Sequence, residues 1–339
     1  MCYKLICIYY ARRITFMNKY PNPFIPERAD PYAMRAPDGT CYFTASYPAF
    51  GDAEHGYDRI VLRKSNTVAG LATAEEKTIW KAPSSGICSR HIWAPELHLI
   101  GGKWYVYFAA GNSDDVWHIR PYVLRCKGDD PFNDEWCPPV RMEAMESDEQ
   151  SFRSFSLDMT YLEHKGRHFV IWAEIIGASS LFIAEIDPSE PWKLTSHPIL
   201  LTKPEYDWEK VRFHVNEGAA VLKTEDKIYV FFSASGTGSE YCIGRLSADA
   251  DAYLMNPASW YKLPYPVLST EDLVGESGPG HNSFIADENG DILLVYHARP
   301  ASHLEGKCGT FTDDPLYDPC RHARIRKVSF DETGVPNLK

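Results

Sequence analysis

Residues Asp158–Glu174 read DMTYLEHKGRHFVIWAE: an acidic opening residue, a short strand, a turn at Gly166, then a run of aromatic and β-branched residues. Apolar runs on either side of a polar turn mark a β-hairpin. The pattern recurs at Asp30–Ser46 (DPYAMRAPDGTCYFTAS), Ala94–Gly111 (APELHLIGGKWYVYFAAG), Glu217–Ser235 (EGAAVLKTEDKIYVFFSAS) and His281–Arg299 (HNSFIADENGDILLVYHAR). Its turns fall at Gly39, Gly102, Asp226 and Gly290, and successive openings are 64, 64, 59 and 64 residues apart. Self-similarity at a fixed period denotes stacked or radially arranged units. Units of about 60 residues suit four-stranded blades, so the spacing predicts an all-β, five-bladed β-propeller. Each opening residue then sits on an innermost strand, and Asp30, Asp158 and Glu217 converge near the axis.

Composition narrows the function. The 339 residues are 44% apolar and 13% aromatic, ample for a core. A net charge of −11 argues against a nucleic-acid partner, which needs a basic surface, and fits a neutral ligand. Proline and acidic clusters such as Gly128–Pro139 and Asp313–Pro319 read as loops, and no linker divides the chain. Only Thr67–Lys77 and Ser269–Val274 favour helix, without a sustained 3.6-residue stripe.

Nine cysteines form no C-x-x-C pair, and their odd count suggests neither a zinc site nor a disulfide framework. A reducing compartment is the expectation. At the N-terminus, Met1–Phe16 places Arg12 and Arg13 after its short apolar run, the reverse of a secretory signal, and is too short to span a bilayer. We expect residues 1–16 to be an extension outside the fold, with residues 17–339 forming one catalytic propeller. Cytoplasmic residence without membrane association is the expected location, and export to the periplasm or medium the alternative.

Three carboxylates brought to one point are costly to bury without a purpose. Crowded like charges raise at least one pKa, yielding an acid usable near neutrality. One protonated and one ionised carboxyl group are the equipment for cleaving a glycosidic bond. Singly, each would read as an ordinary strand-end acid; their common register across three repeats argues otherwise.

The chain resembles glycoside hydrolase family 43. The resemblance rests on Ala29-Asp30-Pro31 with Asp38-Gly39-Thr40-Cys41-Tyr42, on Trp93-Ala94-Pro95-Glu96 with Gly102 to Tyr107, on Ser156-Leu157-Asp158, on Asn216-Glu217-Gly218, and on Gly280-His281-Asn282-Ser283 through Tyr296-His297. It covers roughly residues 25 to 330. It implies a five-bladed inverting glycosidase with Asp30 as general base, Glu217 as general acid and Asp158 as the group that tunes and orients the acid. Ala219 stands where many members have proline, and Ser156-Leu157 where Ile-Asp is frequent. Phe155 to Met159 with the Arg28-Ala29-Asp30-Pro31-Tyr32 opening is most similar to the α-L-arabinofuranosidase members, acting on arabino-oligosaccharides or arabinoxylan fragments. β-Xylosidase activity is the alternative within the family.

The same resemblance makes His281 a candidate for holding a structural calcium ion in the central channel, although the reaction requires no cofactor. Calcium prefers oxygen donors, and a buried histidine is as readily a hydrogen-bonded core residue. Trp93 could stack on a sugar face, with His91 beside it; packing explains both equally well. Arg299 and Arg324 are candidates to bond Glu217 or the sugar, against a default of ion pairing elsewhere. Fructan hydrolases share the architecture but need Asn-Asp-Pro and Arg-Asp-Pro contexts that Asp30 and Asp158 lack. A non-catalytic sugar-binding propeller is the rival of another class; it would have no need of a matched acid and base. No P-loop, G-x-S-x-G or H-E-x-x-H motif is present, and the oligomeric state has no sequence signature.

Overall fold

The computed structural model describes residues 19–48, 56–303, 306 and 317–339. The segment Met1–Phe16 lies outside the described residues. The first sheet holds β1 (Ala29–Arg35), β2 (Cys41–Ser46), β3 (Arg59–Ser65) and β4 (Glu76–Lys81), and the second β5 (Arg90–Ile100), β6 (Lys103–Gly111), β7 (Arg120–Arg125) and β8 (Val140–Arg141). The third holds β9 (Ser156–His164), β10 (Arg167–Ile176), β11 (Ala178–Glu185) and β12 (Ile199–Thr202), and the fourth β13 (Asn216–Lys223), β14 (Lys227–Ala234), β15 (Cys242–Asp249) and β16 (Tyr261–Lys262). β17 (Glu276–Ala286), β18 (Ile292–Pro300) and β19 (His322–Lys327) make the fifth, followed by a small hairpin of β20 (Ser329–Phe330) and β21 (Pro336–Asn337). Within each blade, strands pair antiparallel in chain order. The innermost strands touch in a closed ring: β1 meets β5 and β17, β9 meets β5 and β13, and β13 meets β17. This is the expected five-bladed propeller. Neither helix-favouring segment forms an α-helix; Ala69–Ala72 and Thr270–Asp272 are single 3₁₀ turns.

The second strand of each blade explains the apolar runs. Along β14, Ile228, Val230 and Phe232 enter the wedge shared with blade 3, while Tyr229 and Phe231 enter the wedge shared with blade 5. Along β10, Phe169, Ile171 and Ala173 face blade 4, and Val170 and Trp172 face blade 2. A strand covered on both faces must be apolar at every position, which hides the usual alternation. The core is accordingly five wedges between blades.

The ring is latched by the chain's early residues. Phe24 and Ile25 donate backbone hydrogen bonds to the Ala323 carbonyl on β19 (2.9 and 3.2 Å), and Ala323 donates back to Ile25 (3.0 Å). The pairing stays this short because Pro21 and Pro23 lack N–H groups. Phe24 and Ile25 bury their side chains with Phe43 of blade 1 and Val295 of blade 5.

Each inner strand breaks register beside its opening residue. Asp30 (φ 52°), Ala94 (46°), Asp158 (54°) and His281 (40°) are all left-handed. In blade 4 the left-handed residue is Gly218 (58°), one position later, where a Cβ would lie 3.2 Å from the His281 ring. Such bulges re-aim a side chain that regular pleating would direct into a wedge.

One expectation needs correction here: Cys320 is disulfide-bonded. Cys41, Cys88, Cys126, Cys137 and Cys242 are free. A single loop disulfide among mostly core cysteines leaves no trace in count or spacing.

Truncating the latch tests this architecture. Phe24→Ala should cost about 3–5 kcal/mol, the usual range for a buried aromatic. It should lower the urea midpoint at an unchanged m-value; an unaltered midpoint would show that the latch contributes no stability.

Candidate active site

The bulged residues meet in a cavity of about 140 Å³ lined by Asp30, Asp158, Glu217, His281, Trp93, Trp117, Phe155, Leu157, Thr237, Tyr241 and Arg321. A larger groove of about 520 Å³ runs along the outside of blade 5. Lys19 is paired there with Asp287 and Lys327 with Asp291, and Asp30, Asp158 and Glu217 are not among its lining. The three carboxyls that the repeat predicts to converge line the smaller cavity.

Asp30 is clamped from several sides. Ser46 Oγ donates to its Oδ2 at 2.5 Å and accepts from the Ala94 N–H at 2.9 Å, tying blades 1 and 2 at the bulges. His281 Nδ1 and His297 Nδ1 each lie 3.4 Å from Asp30 Oδ1, and Arg321 Nη1 lies at 3.6 Å. Burial pushes the Asp30 carboxyl up, but His281, Arg321 and His297 outweigh it and hold the group well below the usual carboxylate range. Both histidines are themselves pushed down by burial, His297 to about 3. They are neutral at pH 7, so the lasting counter-charge is Arg321, which cannot deprotonate.

The other two carboxyls shift the opposite way. Burial raises Glu217 to about 7; the Tyr241 hydroxyl, donating to Oε1 at 2.8 Å, partly offsets this, and the Asp30 charge adds to it. Burial, then Glu217 and Asp30, raise Asp158 well above its ordinary value. Asp158 Oδ2 accepts the Gly218 N–H at 3.1 Å, so it grips the peptide that follows Glu217. Asp158 and Glu217 titrate as a pair that retains a proton near neutrality. Beside them, Tyr241 stacks on His297 with ring centroids 5.5 Å apart, and a Cβ on Gly280 would fall 2.0 Å from the Tyr241 ring. Only glycine fits at that position.

Trp93 lines the cavity with a buried indole N–H that has no partner. His91 does not line it. Its ring stacks behind Trp93 at 4.4 Å, with Nδ1 2.9 Å from the Val116 carbonyl and Nε2 3.0 Å from the Tyr317 hydroxyl. Neither expected arginine reaches Glu217. Arg299 donates to Asp318 (2.6 Å) and the Thr237 carbonyl (2.5 Å). Arg324, on β19, points to Asn22 and Glu276 at the outer groove. Arg321, Tyr241 and Trp117 were not anticipated. Arg321 follows a proline-rich loop and the others lie off the inner strands, so none has a register in the repeat.

His281, the candidate for a channel cation, packs against two of the carboxyls. Its Nδ1 is turned to Asp30 and lies 3.7 Å from Asp158 Oδ2. Among the described residues, the only three His, Cys, Asp or Glu donors close enough to share an ion are His303, Asp318 and Cys320, and that sulfur is committed to the disulfide.

A propeller with three carboxyls at its axis, two buried and Glu217 partly exposed to the cavity, one held ionised and two pushed up, is the framework of a glycoside hydrolase. The chain belongs to the glycosyl hydrolases family 43, whose profile matches residues 20–336. It is 43% identical over 324 residues to an extracellular exo-α-(1→5)-L-arabinofuranosidase of Streptomyces avermitilis, covering 94% of this chain and 63% of that protein. A Streptomyces chartreusis enzyme of the same name is 44% identical over 292 residues, covering 85% of this chain and 84% of that protein. The crystal structure of an α-L-arabinofuranosidase from Lactobacillus brevis superposes with a TM-score of 0.83 at 39% identity, covering 94% and 96% of the two chains. The chain thus spans slightly under two thirds of the Streptomyces avermitilis relative. The extracellular naming of both Streptomyces relatives overturns the expectation of a cytoplasmic protein and points to secretion. The disulfide at Cys320 agrees with an oxidising compartment.

Infrared titration, read as the difference from Glu217→Gln, should show a carboxyl losing its proton near pH 7. Because the Tyr241 hydrogen bond favours the ionised form, Tyr241→Phe should move that midpoint to higher pH. A midpoint near 4.5 in the parent protein would contradict the assigned environment.

Proposed function

We propose that this chain is an inverting, exo-acting α-L-arabinofuranosidase that removes terminal arabinofuranosyl units from arabino-oligosaccharides or arabinoxylan fragments. The carrying observation is the opposite displacement of two carboxyls in one cavity: Asp30 held ionised, and Glu217 raised to about 7. The relatives' names supply the sugar and the linkage class. The sugar ring rests against Trp93, whose free indole N–H is available to a hydroxyl. Asp30 accepts a proton from the attacking water, and Glu217 donates one to the leaving oxygen. Direct displacement needs the base and acid roughly 6.5–9.5 Å apart, so that water and sugar fit between them. Asp158 fixes the Glu217–Gly218 peptide and shares the pair's proton. The reaction draws on carboxyl groups and water alone.

Glu217→Gln and Asp30→Asn should each lower turnover by roughly 10²–10⁴-fold, the usual worth of general acid–base assistance. Arabinosides with good leaving groups should partly restore Glu217→Gln, because their departure needs little protonation. They should not restore Asp30→Asn, which still lacks its water activator. Equal restoration of both would reverse or abolish the assignment, and nitrophenyl xylosides in the same panel decide the sugar.

Proton NMR of the first turnovers should show product of the opposite anomeric configuration. Retention, or a glycosyl ester on Asp30, would falsify the displacement mechanism.

A further inference from the structure

We infer that Asp318, together with the Cys320 disulfide, is the positioning device that holds the Arg321 guanidinium against Asp30. The inference rests on Asp30 being the base. Asp318 is wholly buried and makes three contacts that fix the turn leading to Arg321. Its Oδ1 accepts the Cys320 N–H at 2.8 Å, and its Oδ2 accepts Arg299 Nε at 2.6 Å and lies 3.2 Å from His303 Nε2. Cys320, one residue before Arg321, is tied by its disulfide. Arg321 spans the last gap, with Nη2 donating to the Tyr57 hydroxyl at 3.1 Å and Nη1 3.6 Å from Asp30 Oδ1.

Charge as well as tethering requires Asp318. Arg299 and Arg321 are both buried and close enough that Arg321 disfavours the charge on Arg299. Two like charges in a poorly solvated space repel strongly unless an anion compensates them. Asp318 supplies such an anion at Arg299, and its removal strengthens the repulsion that Arg321 meets beside Asp30. Asp30 is faced by His281 on β17, His297 on β18, Asp158 on β9, Glu217 on β13, and Tyr57 and Tyr241 from loops. Arg321 is the one permanently charged cation among them.

The test is the acid limb of kcat/KM. An arginine beside an aspartate lowers its pKa by about 1–3 units. Losing the contact should raise the acid limb by that amount, and Asp318→Asn and Arg321→Gln should do so alike. The sign is diagnostic. If Asp318 acted only through its own negative charge, removing it would favour the ionised form of Asp30 and move the limb down. A limb unchanged, or moved down, overturns the inference, whatever happens to thermal stability.

Should Asp318→Asn fail to fold, the native enzyme treated with dithiothreitol provides the second arm. The dithiol supplies two electrons and two protons, returning both sulfurs as thiols and itself becoming a cyclic disulfide. Reduction should raise the acid limb of the still-folded enzyme, and Cys320→Ser should reproduce the shift. Full indifference of the pH profile to verified reduction would remove the disulfide from the device. The base assignment is tested apart: if Asp30→Asn keeps full activity, the proposed function fails, independently of where the limbs lie.

Discussion

One guanidinium separates the charge states of three carboxyl groups crowded at the hub of the ring. Sequestered from water, Asp30, Asp158 and Glu217 would all tend to hold protons. Arg321 comes within 3.6 Å of Asp30 and acts more weakly on Glu217, and so a negative charge settles on Asp30. The charge on Asp30 then helps to raise the other two. The proposed base and the proposed acid differ in charge, though chemically similar, because the cation sits nearer to one of them.

The backbone must be bent to bring these groups together. Non-glycine residues at positive φ cost of order 1–3 kcal/mol each, and Asp30, Ala94, Asp158 and His281 all sit there. The five apolar wedges carry that strain, since every inner strand is pinned on both sides by its neighbours in the ring. Blade 4 differs in using Gly218, which leaves Glu217 on an ordinary backbone while the bend occurs immediately after it. Asp158, by accepting the Gly218 N–H, holds the bend in place.

Much of this was legible from the repeat. Asp30, Asp158, Glu217 and His281 were found because a register relates them, and register survives in a sequence as spacing. Trp93 stood beside one of those positions. Arg321, Tyr241 and Trp117 were invisible for the complementary reason: they reach the cavity from loops and outer strand ends, whose lengths differ between blades. Arg299 and Arg324 were plausible by proximity in the chain, but the first is consumed by Asp318 and the second lies on the outward side of blade 5. The compartment was misjudged because the anatomy of Met1–Phe16 and an odd cysteine count were the only guides, and one isolated disulfide alters neither.

The latch and the catalytic cation share one short segment: Arg321 lies two residues before Ala323, where the early chain closes the ring. Synthesis proceeds from the N-terminus, so Asp30, Asp158 and Glu217 are all made before the residue that balances them. A nascent chain lacking β19 carries an acidic hub with no permanent counter-charge, and mutual repulsion resists drawing its inner strands together. Arrival of the last strand supplies the seal and the neutralising charge in one event. Ring closure and the balancing of buried charge are therefore coupled in time: the strand that seals the hub from water also brings the cation that keeps Asp30 ionised once water is gone.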